Sequence, residues 1–182
     1  MSCRILLAYL VLLTPVLCSQ WRFKSDGPLS MQTKNDETIR EYKKNVVISN
    51  DEMTLLTDRA TQYTSRDEIL LEGNVKMLSD TDTILCDRMY YWSKNDSALA
   101  SGSVLLENEI QKITSDEITY IVTNGPFGFS FISNGNTTIE DSIRTISGQS
   151  ILYDDKKQEM TIKSDAKITE IDKGISGDNM RI

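Results

Sequence analysis

From about residue 41 onward the chain sets apolar and polar residues in short alternating runs, and the runs recur. Ile69, Leu71, Gly73, Val75 and Met77 stand at every second position, and Ala98, Ala100, Gly102, Val104 and Leu106 repeat the arrangement 29 residues later. Alternation sustained over nine residues marks a β-strand with one face buried. A polar turn follows each run, Ser79 to Asp82 in one copy and Glu107 to Glu109 in the next. Then comes a second run, Ile84, Asp87, Met89, Tyr91 and its copy Ile113, Asp116, Ile118, Tyr120. No helical period follows residue 19. The pattern predicts a nearly all-β protein with two strands and two turns per unit.

The equivalent positions Val46, Val75, Val104, Thr137 and Ala166 are separated by 29, 29, 33 and 29 residues. Four extra residues fall in one interval, near Asn124 to Phe127, next to the alternating Phe127, Phe129 and Phe131. A fixed period of this length implies stacked supersecondary units that share one continuous core. Stacking places like on like: Ile48, Met77, Leu106, Ile139 and Ile168 form one column, and Leu55, Ile84, Ile113, Ile146 and Ile175 a second. A third column runs Ala60, Met89, Ile118, Ile151 and Met180, with Tyr91, Tyr120 and Tyr153 beside it. Ile84 and Met89 are five apart and would face opposite ways on a regular strand. That calls either for a bulge near Asp87 or for the isoleucine column to pack elsewhere. The glycines at 73, 102 and 135 fall on the inward face of the alternation. They serve either as kinks that let the sheet curl or as missing side chains that widen the interior for a ligand.

Beyond the pattern, Met1 to Ser19 reads as an export signal, with Arg4, an apolar stretch from Ile5 to Leu17 and a small residue at Ser19. The apolar stretch is shorter than the ~20 residues of a membrane span. Acylation of Cys18 is the lipoprotein alternative. Residues 20–41 are polar and form an extended lead-in, and residues 42–182 form the repeat domain. The net charge of −7 argues against a nucleic-acid partner, which would require a basic stripe. The chain has no histidine, so the commonest general base and metal ligand is missing. Asp58, Asp87, Asp116 and Asp178 form a carboxylate column, but Gln149 interrupts it, and the column reads as structural. No nucleophile–base pair, metal spacing or cofactor motif is present, so the sequence predicts neither an enzyme nor a cofactor.

The recurring Gly-Asn-Val, hydrophobic residue, polar turn, Asp and Tyr resemble the OstA-like family. The pattern stands here as Gly73-Asn74-Val75 with Asp87 and Tyr91, and Gly102-Ser103-Val104 with Asp116 and Tyr120. That family includes the periplasmic lipopolysaccharide-transport protein LptA, its relative LptC and the N-terminal domain of the outer-membrane assembly protein LptD. The resemblance implies an open antiparallel β-jellyroll, a sheet folded like a taco around an apolar groove. It implies a periplasmic bridge in lipopolysaccharide transport in a Gram-negative-type bacterium, with acyl chains of lipopolysaccharide or a related glycolipid held inside. On that reading Val75, Met77, Met89, Val104 and Leu106 contact lipid, as do Ile118, Tyr120, Phe129, Ile139 and Ile151. Copies join head-to-tail, or join other OstA-like proteins, by strand addition. The alternatives are an LptC-like component of the export complex and a structural β-solenoid with no ligand.

Overall fold

The computed structural model describes residues 21–124, 128–170 and 173–182. Twelve strands make one antiparallel sheet. The first six are β1 (Arg22–Lys24), β2 (Ser30–Lys34), β3 (Glu37–Ser49), β4 (Met53–Tyr63), β5 (Glu68–Ser79) and β6 (Thr83–Trp92). The last six are β7 (Ser97–Glu107), β8 (Gln111–Val122), β9 (Phe129–Asp141), β10 (Arg144–Asp154), β11 (Glu159–Glu170) and β12 (Lys173–Arg181). From β3 to β12 every strand pairs with its neighbour in sequence, and β1 and β2 both pair with β3. The sheet does not close into a barrel, and two strands with two turns make each repeat.

The polar lead-in is more structured than its composition suggests. β3 starts at Glu37, and β1 and β2 share its outer edge, the former on Val47 to Ser49 and the latter on Glu37 to Glu41. Between them the Asp26 and Gly27 amides donate to the carbonyls of Lys44 and Lys43, at 3.0 and 2.8 Å. Phe23 stacks on Tyr42 with centroids 5.0 Å apart, and Trp21 meets Tyr91 edge-on at 5.4 Å. An edge strand faces water on one side and has a single partner, so it carries little of the apolar alternation by which strands are read.

Each odd strand from β3 to β11 carries a two-residue bulge, and this settles the parity problem. In β5, Glu72 pairs with Arg88 and Val75 with Cys86, so Gly73 and Asn74 together face the single Asp87. Both are left-handed, with φ of 82° and 49°. The same left-handed pair recurs at Lys44-Asn45, Gly102-Ser103, Gly135-Asn136 and Ser164-Asp165. On the even strand the inward set slips by one residue: Ile84 and Cys86 are buried before the bulge, Met89 and Tyr91 after it, and Asp87 and Arg88 are exposed. A bulge bends its strand, and five in line make a crease across the sheet.

The sheet folds over along that crease. Tyr120 lies in the row Tyr91, Ala98, Tyr120, at one end of the strands, and Asp82 precedes Thr83 at the other. On a flat sheet the eight residue steps from Thr83 to Tyr91 would hold these ends roughly 25 Å apart. Instead the Tyr120 hydroxyl donates to Asp82 Oδ2 at 3.1 Å. The two halves of the sheet therefore face each other, and their inner faces supply the core. Ile48, Met77, Leu106, Leu55, Ile84 and Ile113 are all at 1% exposure or less. Each such side chain contributes ~1.5–3 kcal/mol on burial. The columns lose their cover at the C-terminal end, where Ile168 and Met180 are half-buried and Ile175 is 65% exposed. Ile175 is thus not a core residue, because no following strand packs over it among the described residues.

Candidate functional site

The interior between the two half-sheets is the candidate site. Val75, Met77, Val104, Leu106 and Ile139 come from the stretches after the odd-strand bulges, and Met89, Ile118 and Ile151 from the even strands after their parity slip. All eight are buried, as are Tyr120 and Phe129, so the ten residues singled out from the sequence share one enclosed face. They fill it with their own side chains rather than lining an empty channel.

One stretch of this interior is aromatic. Tyr120 stacks on Phe129 at 5.2 Å, Phe129 on Phe131 at 6.3 Å, and Tyr153 lies 5.9 Å from Phe131. Phe129 and Phe131 share a face of β9, as the alternation predicted, while Phe127 lies outside the described residues. Between β8 and β9 the Thr123 amide donates to the Gly128 carbonyl at 2.8 Å. Thr123 and Gly128 are both held by Asp155, a fully buried carboxylate in the β10–β11 turn. Its Oδ2 accepts from the Thr123 hydroxyl at 2.5 Å and the Gly128 amide at 3.1 Å. Its Oδ1 accepts from the Tyr153 hydroxyl at 3.3 Å and Gln158 Nε2 at 3.1 Å.

Opposite lips of the folded sheet meet along a seam. One lip carries the turns that follow odd strands, such as β5–β6 and β7–β8, and the other the turns that follow even strands, such as β6–β7 and β10–β11. Asp82, at the β5–β6 tip, accepts the Tyr120 hydroxyl from the opposite lip and Asn108 Nδ2 from the neighbouring tip, the latter at 3.2 Å. Burial, with Asp82 beside it, raises the Tyr120 pKa, so the hydroxyl stays a donor. Two cavities open on the seam: one of about 210 Å3 by Met77, Asp82 and Tyr120, and one of about 150 Å3 by Ile110, Phe131, Tyr153 and Met160. A third, of about 360 Å3, sits at the β11–β12 hairpin between Ile168 and Ile175.

The glycine column does not point into the interior, contrary to its place in the alternation. Gly73, Gly102 and Gly135 sit on the crease, each pressed against the aspartate of the preceding even strand: Asp58, Asp87 and Asp116 in turn. Asn74 Nδ2 donates to Asp58 Oδ2 at 2.7 Å, and Asn136 Nδ2 to Asp116 Oδ2 at 3.4 Å. Asn45 does the same to Asp26 at 2.8 Å, which makes Asp26 the first member of the carboxylate column. Glycines and aspartates are thus two halves of one crease joint. The column loses both together, since Ser164 stands opposite Gln149. Burial pushes the Cys86 thiol up to about 11, so it is protonated at neutral pH. Among the described residues, no group of three His, Cys, Asp or Glu side chains could hold a metal ion. Asp82 and Asp155 have no sequence signal, because each lies in a turn position that the other repeats fill differently. Asn108 has one, since Asn50 and Asp141 hold the same place and each side-chain oxygen accepts the amides two and three residues on.

No curated protein matches the chain. Among solved structures, a chain of LptH from Pseudomonas aeruginosa is similar in fold. It is described as the LptA homologous periplasmic component of the conserved lipopolysaccharide transport device. It shares 15% identity, with 80% of this chain and 82% of that one covered, at a TM-score of 0.33. The sequence matches the OstA-like protein family over residues 23–178, from β1 through most of β12, and the chain belongs to that family.

Proposed function

We propose that this protein is a periplasmic bridge that carries lipopolysaccharide or a related glycolipid, its acyl chains taken between the two half-sheets. The observation that supports this most is the single apolar interior of an open sheet. A domain that needed only a core could close its sheet; this one keeps two lips in contact along a seam. Membership of the OstA-like family and an export leader in the sequence support the same reading. Palmitate carrying a photoactivated diazirine at its chain end should label the wild-type protein. The label should map to inner-face peptides of β5 to β9 and spare the outer residues Leu85 and Lys94. Labelling confined to the outer face would end this reading in favour of a ligand-free structural module.

The assembly proposed with it is head-to-tail strand addition. The outer edge of β12 has no partner among the described residues, and such an edge is a template for another strand. Both the N–H and C=O of Ile182 bond Met160, so the groups of Met180 also point toward β11 and those of Asn179 and Arg181 point outward. Asn179→Pro should therefore blunt the free edge while leaving the β11–β12 pairing whole. Light scattering over a dilution series should show wild-type rods that grow with concentration and an Asn179→Pro protein that stays monomeric. Wild-type protein that remains monomeric at high concentration would remove strand addition from the proposal.

A further inference from the structure

The seam is not uniform, and the difference between its halves locates where a ligand would pass. Glu52, Thr81, Ile110 and Ile143 hold the same place on successive hairpin tips, at the repeat spacing. The first two are polar, and the tip bearing Thr81 is bound across the seam through Asp82 to Tyr120. The next two are isoleucines that are 65% and 61% exposed. Exposed isoleucines side by side on neighbouring tips, where a turn normally carries polar residues, stabilise nothing in the fold. Ile110 lines the cavity of about 150 Å3 whose floor is Phe131 and Tyr153, and Ile143 stands on the neighbouring tip between Asp141 and Arg144, which line it too. Phe131 is continuous with Phe129 and Tyr120, so that floor leads directly into the buried interior. Here the polar groups of the tip turn inward on their own hairpin: Asp141 accepts the Ile143 and Arg144 amides and Arg144 Nε, each at 2.8 or 2.9 Å.

We infer that this C-terminal half of the seam, between Ile110 and Ile143 on one lip and Phe131, Tyr153 and Met160 on the other, is the lateral portal through which an acyl chain of an anionic lipid enters the interior. The inference rests on the carrier reading above and adds to it a position and a direction. The occupant is an acyl chain because the floor of Phe131, Tyr153 and Met160 is apolar and continues into the buried interior, while Asn108, Gln111, Asp141 and Arg144 line the rim, where a polar head group would stay. Arg144 stands at the mouth, half-exposed on a lip whose other tip residues include Asp51, Glu52, Asp80 and Glu109. An anionic head group held outside would meet a positive charge there, in competition with Asp141, whose Oδ2 lies 2.8 Å from Arg144 Nε. The Asp82 joint keeps the N-terminal half shut while the portal half opens, and Asn108 links the two. Its Nδ2 holds Asp82 and its Oδ1 accepts the Ile110 and Gln111 amides, both at 3.0 Å.

The test uses the full chain and two probes, pyrene-labelled palmitate and the chain-end diazirine palmitate. Ile110→Ser with Ile143→Ser alters only exposed side chains, so the unfolding midpoint should not move. Uptake of pyrene palmitate should slow by about tenfold, the factor set by a 1.4 kcal/mol change in barrier. Benzoylphenylalanine placed at Ile110 or Ile143 should capture lipid during uptake, and placed at Asp80, the polar tip, should not. If the double variant loads at the wild-type rate, or Asp80 captures lipid as readily as Ile110, the portal is overturned. The carrier reading then survives as long as the diazirine still labels the inner face. If the diazirine labels no inner-face peptide either, both fall together. Capture of a second protein chain at Ile110 in place of lipid would also overturn the portal and make the tips a protein contact.

Discussion

Alanine at Gly102 should destabilise the fold by about 3 kcal/mol, Gly73→Ala by about 2 and Gly128→Ala by about 1, although all three glycines are left-handed. Their φ values, 79°, 82° and 82°, are the same within error of any rotameric effect, so backbone strain alone would make the three costs equal. What differs is the neighbour. A Cβ at Gly128 meets nothing within 4 Å among the described residues, and its cost is that of the left-handed backbone. At Gly73 the added carbon stands 2.7 Å from Asp58 Oδ2, but the stiff Asp58 Cβ is 3.2 Å away, so the carboxylate can swing clear at the expense of its bond from Asn74. At Gly102 the Asp87 Cβ and Cγ themselves stand 2.8 and 2.9 Å away, and no rotamer moves a Cβ. Two strands must then part at the crease. Denaturant unfolding of the three variants checks the order. The second substitution Asp87→Gly should recover part of the Gly102→Ala loss and should do nothing for Gly128→Ala. Equal losses at all three sites would mean that the crease is held by backbone preference and not by the glycine–aspartate contact.

That joint also shows how far the sequence could be read. The period, the inward columns and the all-β class follow from residue spacing, because a repeat places the same demand on the same position five times. Met77, Leu106, Ile118 and their column-mates could be found for that reason. The crease was visible only as a parity conflict between Ile84 and Met89. Simple alternation put Gly73 on the inner face, since counting by twos cannot register a left-handed pair. Asp58 and Gly73 each stand in a recurring column, but they meet across strands at positions 15 residues apart in sequence, and spacing along the chain does not reveal that contact. The edge strands β1 and β2 were hidden by having only one partner. The seam was hidden more completely. Asp82 and Asp155 act through tertiary contacts in turns, each at a position where the repeat sets no residue type, and the recurrence of Asn108 as Asn50 and Asp141 marks its turn but not its bond to Asp82.

Asp155→Ala should cost about 3–5 kcal/mol, as much as the removal of a large core side chain, although the residue lies in a turn. Asp155 is fully buried, and among the described residues its two oxygens take donors from Thr123, Gly128, Tyr153 and Gln158. Alanine leaves those donors facing a void. Asparagine is the informative comparison, because its shape fits and its charge does not. Its oxygen can replace only one carboxylate oxygen. Its NH2 must then face either the Gly128 N–H or the Gln158 NH2, donor against donor, although the hydroxyls of Thr123 and Tyr153 can turn to accept. The loss for Asp155→Asn should therefore be intermediate, about 1–3 kcal/mol. The consequence should extend to the interior: Asp155 holds the turn before Phe129 and the hydroxyl of Tyr153, so loosening it frees the Phe129–Phe131–Tyr153 group that floors the portal cavity. In Asp155→Ala, hydrogen exchange should accelerate in residues 128–133 and 151–155 and remain slow in β5 and β6, whose crease and columns it does not touch. Uniform acceleration across all strands would show instead that Asp155 supports the whole sheet, and that the aromatic end is not a separately anchored unit.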